Sequence, residues 1–337
     1  MVASPSTLTE IPAPSGRARE GLWLAIAAYG MWGLFPLYFP LLEPAGAVEI
    51  LAHRIVWSLV VLGAVLLIRR RWAWVGQLLR QPKRLGLLAL AAVMIGINWG
   101  TYIYGVNAGD VVETSLGYFI NPLLTIALGV VVLRERLGAA QWVAVGIGVL
   151  AVVVLTVGYG RPPWIALILA VAFAVYGFIK KRVNLPAVEA LSAETAVLFV
   201  PAVVFLVVAE VVGFGTFLGH GVGHPLMLVG AGLITVVPLV CFGASAIRLP
   251  LSTLGLVQYL APVFQFLVGI LIDHEQMNAT RWLGFGLVWV ALAVLVADAG
   301  RRLYDSGRTN RSGGARRGVG AGRDLEPDGR RGAAGVR

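Results

Sequence analysis

The chain reads as a series of long apolar runs separated by short polar breaks. The runs cover approximately 21–41, 49–68, 85–105, 114–133, 139–158, 163–180, 191–212, 225–247, 252–272 and 281–299. Each lasts about 18–22 residues without strict alternation of apolar and polar positions, which predicts membrane-crossing α-helices and excludes a β-barrel. Lipid offers the backbone no hydrogen-bond partner, so a spanning segment must satisfy its own N–H and C=O groups. The narrowest break, Arg248-Leu-Pro250, predicts a tight turn between the eighth and ninth runs. The predicted fold class is an all-α integral membrane protein with ten transmembrane helices.

Two runs open on polar, small-residue strings that contain a proline. They are Glu113-Thr-Ser-Leu-Gly-Tyr-Phe-Ile-Asn-Pro122 and Leu251-Ser-Thr-Leu-Gly-Leu-Val-Gln-Tyr-Leu-Ala-Pro262. Aligning Pro122 with Pro262 places Gly129 on Gly269, Glu135 on Glu275 and Trp142 on Trp282. Upstream, Ser115-Leu-Gly117 matches Thr253-Leu-Gly255 after a shift of two residues, and Trp32-Gly33 echoes Tyr176-Gly177. The pattern predicts a duplication of five helices. Five is odd, so the second copy enters from the opposite side and the repeats are inverted. Gly/Pro-interrupted helix starts at corresponding places in inverted repeats mark a transport site near mid-membrane. The expected organisation is a cytoplasmic tail (1–20), a first repeat (21–158), a second repeat (163–299) and an Arg/Gly-rich cytoplasmic tail (300–337) too polar to fold.

Composition agrees with the pattern. The 337 residues are 58% hydrophobic and 13% charged, against about 25% charged for a soluble domain. The net charge of +10 would suggest nucleic acid if only the sum counted, but its placement argues for a membrane anchor. With the N-terminus inside, the cytoplasmic segments hold Arg17, Arg19, Arg69–Arg71, Arg80, Lys83, Arg84, Arg134, Arg136, Lys180–Arg182, Arg248 and every arginine from Arg301 onward. The outer loops hold only Arg161 and Arg281, and Arg54 lies within a span. This positive-inside bias places both termini in the cytoplasm. Residues 1–20 read as a polar tail and not a signal peptide. A single cysteine, Cys241, rules out an internal disulfide framework or a Cys-based metal site.

Ionisable groups inside spans cost about 2.5–3.5 kcal/mol on insertion scales and usually face an interior or cavity. His53 and Arg54 either contact an anion or substrate, or Arg54 snorkels to the outer headgroups or pairs with Glu49 or Glu113. Glu113 either caps the helix it opens or faces the cavity as a proton-coupling group. Glu194 has the same coupling role open to it, against pairing with Lys180 or Arg182. Asn98, Trp99, Tyr102, Tyr118, Asn121, Gln258, Tyr259 and Gln265 form an uncharged polar and aromatic set. Such groups suit an amphipathic organic solute; the alternative is interhelical hydrogen bonding. Pro122 and Pro262 either kink their helices or leave carbonyls free for a ligand.

No phosphate-binding Gly-rich loop followed by Lys-Ser/Thr is present, which argues against an ATP-driven pump. His220 and His224 lie in a Gly-rich loop that is a poor helix, so no metal is expected. No hydrolase motif appears. The chain is therefore not expected to be an enzyme or to hold a cofactor.

Ser115-Leu-Gly-Tyr-Phe-Ile-Asn-Pro122, Gly96-Ile-Asn-Trp99 and His53-Arg54 resemble the RarD branch of the EamA-type drug/metabolite transporters. So do Glu194-Thr195 with Pro201, Thr235-Val-Val-Pro-Leu-Val-Cys-Phe242, Leu251-Ser-Thr-Leu-Gly255, Gln258-Tyr259 and Trp289-Val-Ala-Leu292. The resemblance covers roughly residues 20–300. It implies a bacterial inner-membrane carrier whose spans one, three, four, six, eight and nine line a central cavity, with five and ten peripheral. The branch is often labelled a chloramphenicol-sensitivity permease. The chain departs from it at Asp273-His-Glu-Gln276, where the family commonly has Gly-Glu-Lys, a loop expected to be peripheral. The expected function is secondary transport of small amphipathic organic solutes or drugs, outward and with protons as the candidate coupling ion. The alternative is a non-transporting membrane partner or sensor. Expected partners are a small-molecule substrate, the bilayer and, as an open arrangement, a homodimer, with no nucleic acid.

Overall fold

The computed structural model describes residues 16–298 except 71, 134–137, 184, 247, 250–252 and 255–256. The described residues are helical with short connections. The helices are α1 (Gly16–Gly33), α2 (Ala47–Arg69), α3 (Ala73–Leu79), α4 (Pro82–Asn107), α5 (Val111–Leu133), α6 (Ala139–Tyr159), α7 (Trp164–Val183), α8 (Ala187–Val212), α9 (Gly223–Ala246), α10 (Leu260–Leu271) and α11 (Ala279–Asp298). Seven of these helices are long and apolar enough to cross a bilayer, and α7 and α10 contain shorter apolar stretches. Helix ends follow local chemistry. Pro82 opens α4, where its missing N–H costs nothing. Gly160 and Gly213 close α6 and α8 in the left-handed region, where a side chain would be strained.

Two expected spans differ from single helices. The first, 21–41, is helical only to Gly33 and continues as two 3₁₀ turns, Phe35–Leu37 and Phe39–Leu42. Pro36 and Pro40 lack the N–H a continuing α-helix needs. The ninth, 252–272, is also interrupted: α10 starts at Leu260, after a turn at Gln258-Tyr259. Pro262 therefore sits in the first turn of α10, whereas Pro122 lies inside continuous α5. The two strings that match in sequence adopt different backbones. The expected turn after the eighth span is present at Arg248 and Leu249, whose N–H groups both donate to Ser245 O. Glu135, Gly255 and the two tails beyond 16–298 lie outside the described residues.

Packing joins the two halves of the chain. Helix α7 lies against α4 and α5, while α1 lies against α9 and α10. Helix α2 contacts α8 and α9, and α8 also contacts α4. Counting spans in order, these contacts form pairs related by a shift of five: three–six with eight–one, four–six with nine–one, and two–eight with seven–three. Small residues permit the closest approaches. A Cβ on Gly117 would meet Leu169 Cβ at 2.8 Å and Ala166 O at 2.9 Å, and one on Gly33 would meet Phe264 Cβ at 2.6 Å. Those contacts hold α5 on α7 and α1 on α10, the small-residue packing typical of membrane helices.

Candidate functional site

A cavity of about 560 Å³ lies between the halves, within the ordinary range for small-molecule sites. All eight members of the uncharged set, Asn98, Trp99, Tyr102, Tyr118, Asn121, Gln258, Tyr259 and Gln265, line it, as do Pro122 and Pro262. Its lining comes from spans one, two, three, four, six, seven, eight and nine; α6 and α11 contribute nothing. The peripheral place expected for spans five and ten agrees with this. The contributions of Arg54 on α2 and Leu191 on α8 go beyond the expected lining.

Arg54 is the principal charged feature of the wall. Its side chain does not snorkel outward: the residue is 4% exposed, and its Nε donates to Thr235 Oγ1 at 2.7 Å. The guanidinium carbon lies 4.4 Å from the centroid of the Trp99 ring, 5.3 Å from that of Phe35 and 6.0 Å from that of Phe39. Nη1 has no hydrogen-bond partner. Neither carboxylate expected as a partner serves it. Glu49 Oε1 accepts from Thr216 N at 2.7 Å and from Thr216 Oγ1 at 3.0 Å, and Glu113 pairs elsewhere. His53, its sequence neighbour, is absent from the cavity lining. Successive helical residues point about 100° apart, so His53 stacks on Phe217 at 4.8 Å and its Nδ1 accepts from Trp57 Nε1 at 3.3 Å.

The uncharged group divides into bonded and unbonded members. Asn98 Nδ2 donates to Leu169 O at 3.0 Å, and Tyr118 OH donates to Asn98 Oδ1 at 3.1 Å. That pair does interhelical work. Tyr102 OH, Asn121 Oδ1 and Gln265 Oε1 are buried without partners, while Gln265 Nε2 donates to Trp32 O at 3.3 Å. Buried polar atoms left unpaired are uncommon and require an explanation. Here all three belong to residues that line one cavity.

The N-terminal end of α5 has a different chemistry. Glu113 is fully buried. It caps a helix, but not its own: Oε1 accepts from Ile165 N at the start of α7, at 2.9 Å. Arg161 Nη2 lies 2.9 Å from Glu113 Oε2 and 3.5 Å from Asp110 Oδ2. The start of α5 is held instead by Glu275, whose Oε1 accepts from Val112 N at 2.7 Å. Glu275 belongs to the departing loop Asp273-His-Glu-Gln276, which thus does structural work between the halves. Burial pushes its carboxyl up to about 7 against the opposing backbone N–H bonds, with Asp110 and Asp273 adding to the rise. Asp273 is also raised by burial.

A family model described as the EamA-like transporter family matches residues 19–157. The chain is 61% identical over 281 residues to "Protein RarD" of Streptomyces exfoliatus, covering 83% of this chain and 89% of that one. It is 39% identical to "Protein RarD" of Escherichia coli, over 88% of this chain and 99% of that protein. The chain belongs to the RarD branch of the EamA-like transporter family. A related Pseudomonas aeruginosa protein, "Chloramphenicol-sensitive protein RarD", is 30% identical over 86% of this chain and 97% of its own length. A solved structure with 18% identity aligns with a TM-score of 0.54 over 81% of this chain and 96% of that chain, which speaks to the fold. The protein is a multi-pass membrane transporter.

In this RarD-branch chain Glu194 stands just behind the wall. Its Oε1 lies 2.8 Å from Lys180 Nζ and its Oε2 accepts from Tyr176 OH at 3.0 Å, and both partners line the cavity. The pairing with Lys180 weighed from sequence is present. Sequence reasoning missed the aromatic rim of Tyr29, Trp32, Phe173 and Phe242, although Tyr29 and Trp32 share a helix face by their spacing of three. It also left Thr235 without a site role, although a threonine in an apolar run needs an acceptor and can orient a cation. His220 Nδ1 and His224 Nε2 both contact Thr216, and no group of three metal-ligating side chains occurs among the described residues.

Proposed function

We propose that the protein is a secondary carrier of small amphipathic organic solutes, which it exports through the central cavity by alternating access. The observation that carries this reading is one cavity lined by both halves, with buried polar atoms of its lining residues left unpaired. A filled core at this place would have favoured the partner or sensor alternative. The ten-span inverted repeat belongs to this proposal, and the paired packing supports it. The second copy's turn at Gln258-Tyr259 is the structural departure within it. With the arginine-rich face and both termini in the cytoplasm of a bacterial cell, the cavity extends toward the cytoplasmic end through Lys180 and Leu185. Asp110, Glu113, Arg161 and Glu275, none of which lines the cavity, gather where α5 and α7 begin.

Coupling in this scheme uses protons, and Glu194 fits better than Glu113. Protonating Glu194 would free Lys180 beside the solute space, whereas Glu113 is fixed in a cap. The test is flux in proteoliposomes with an imposed pH gradient. Chloramphenicol is a suitable first solute, given the printed name of the Pseudomonas aeruginosa relative. Gly177 has open space before its Cβ position and lines the cavity, so Gly177→Phe should plug it. The expected result is gradient-driven flux that Gly177→Phe abolishes and Glu194→Gln uncouples from pH. Flux unchanged in the plugged variant would refute the cavity route.

A further inference from the structure

We infer that the cavity selects organic monoanions, with Arg54 as the receptor for a carboxylate and the aromatic rim as the receptor for an apolar body. This rests on the cavity being the solute site. The first argument is charge balance. The residues lining the cavity include two cations, Arg54 and Lys180, and no Asp or Glu. Lys180 is neutralised by Glu194 from behind the wall. Arg54 has no carboxylate within ion-pair distance among the described residues. The lining thus carries one uncompensated positive charge in a low-dielectric interior, where isolating an ion costs several kcal/mol.

The second argument is donor count. A guanidinium has five N–H donors in a planar fork matched to a carboxylate. Thr235 takes the one on Nε. Its own hydroxyl proton goes to Ala231 O at 2.8 Å, which leaves an oxygen lone pair facing Arg54 and fixes the fork. Trp99, Phe35 and Phe39 stabilise the cation through their faces, but a ring quadrupole does not replace an anionic acceptor. Nη1 remains unpartnered. Tyr102 OH, also without a partner, supplies a further donor to an oxyanion. The residues are positioned for a ligand and not merely buried with one another.

The third argument concerns the rest of the solute. Tyr29, Trp32 and Phe242 form a mutually packed rim, with ring centroids 5.3 Å (Tyr29–Trp32), 6.0 Å (Tyr29–Phe242) and 5.9 Å (Trp32–Phe242) apart. Phe173 adds a ring beside Tyr118 at 6.1 Å. Such walls suit a flat or branched apolar body. A bare inorganic anion would leave the rim and most of the 560 Å³ unused.

The test uses the full chain in detergent and three probes of one shape: 3-phenylpropionate, 3-phenylpropionamide and 3-phenylpropylamine, with chloride as a control. Binding is read by thermal stabilisation and by equilibrium dialysis of labelled probe. The acid should bind at least about tenfold more tightly than the amide, the scale expected for a hydrogen bond to a charged partner, and the amine should bind least. Arg54→Gln should remove the preference for acid over amide, and Arg54→Lys should keep it at lower affinity because the charge stays and the fork is lost. Equal binding of amide or amine, protection by chloride equal to that of the acid, or no binding of any probe would overturn the assignment. So would an acid preference that survives in Arg54→Gln. If Arg54→Gln fails to fold, the ratios in the unsubstituted protein and in Arg54→Lys decide. Amide binding as tight as that of the acid, and abolished by Gly177→Phe, would leave the cavity reading intact while ending the anion reading. Binding that persists in Gly177→Phe would end both.

Discussion

Two buried charges in this protein differ in whether an ion of opposite sign stands beside them. Glu113, at the N-terminal end of α5, faces a cation and a backbone N–H at 2.9 Å each, although its Oε2 makes no hydrogen bond. Arg54, in the cavity wall, has one threonine, three aromatic faces and no anion. Both cost free energy to bury. The first is repaid within the fold, and so the region reads as a latch between helices. The second is not, and so the region reads as a receptor awaiting an acceptor. Burial is common to both charges; the counter-ion is what sets them apart.

The contrast predicts opposite responses to substitution. Arg161→Ala should strand the Glu113 carboxylate and destabilise the junction of α5 and α7 by about 2–3 kcal/mol, less than for a fully buried pair because Arg161 is half-exposed. Thermal unfolding should show it, and Glu113→Gln in the same chain should recover part of the loss. Arg54→Leu should leave stability unchanged or raise it by about 1 kcal/mol, since replacing an unpaired buried ion by an apolar group relieves desolvation. The preference for acid over amide should vanish at the same time. A large destabilisation by Arg54→Leu would break the comparison and return Arg54 to a structural role.

A third outcome concerns pH. Glu275 titrates at about 7 in the folded protein because of burial, above its ordinary range. The folded state therefore holds a proton that the unfolded chain has lost between about pH 4.3 and pH 7, so stability falls as pH rises through that window. The melting temperature of the unsubstituted protein should decline across it relative to Glu275→Gln, with the difference level above pH 7. A parallel pair of curves would remove Glu275 from the latch. The smallest effect is expected for Tyr118→Phe, which loses only the bond to Asn98 and should cost about 0.6 kcal/mol, the mean for interhelical hydrogen bonds in membranes, read as a slight drop in melting temperature.

Much of this was legible in the sequence because lipid imposes strong rules. The apolar runs located most of the helices to within a few residues, the first and ninth excepted, and the paired strings pointed to residues that gather around the cavity. Local chemistry beyond hydropathy set the failures. Pro36 and Pro40 end α1 inside an unbroken apolar run, which hydropathy does not register. Gln258 and Tyr259 fall in a turn although their counterparts in the first string lie in a helix, because alignment reports residue type and not backbone hydrogen bonding. Glu113 caps a helix fifty residues downstream, a tertiary partnership that no local capping pattern contains. His53 and Arg54, adjacent in the chain, divide between two faces once the helix forms.

The turn before α10 has one more consequence. Side chains on α5 are held by a continuous helix, so the wall they make is a fixed template. Gln258 and Tyr259 are tied differently: Gln258 N donates to Leu254 O at 3.0 Å, and the carbonyls of Gln258 and Tyr259 accept from Ala261 N at 3.4 Å and Val263 N at 3.2 Å, at the first turn of α10. That side of the chamber is therefore anchored to α10, so any shift of α10 would carry both side chains with it.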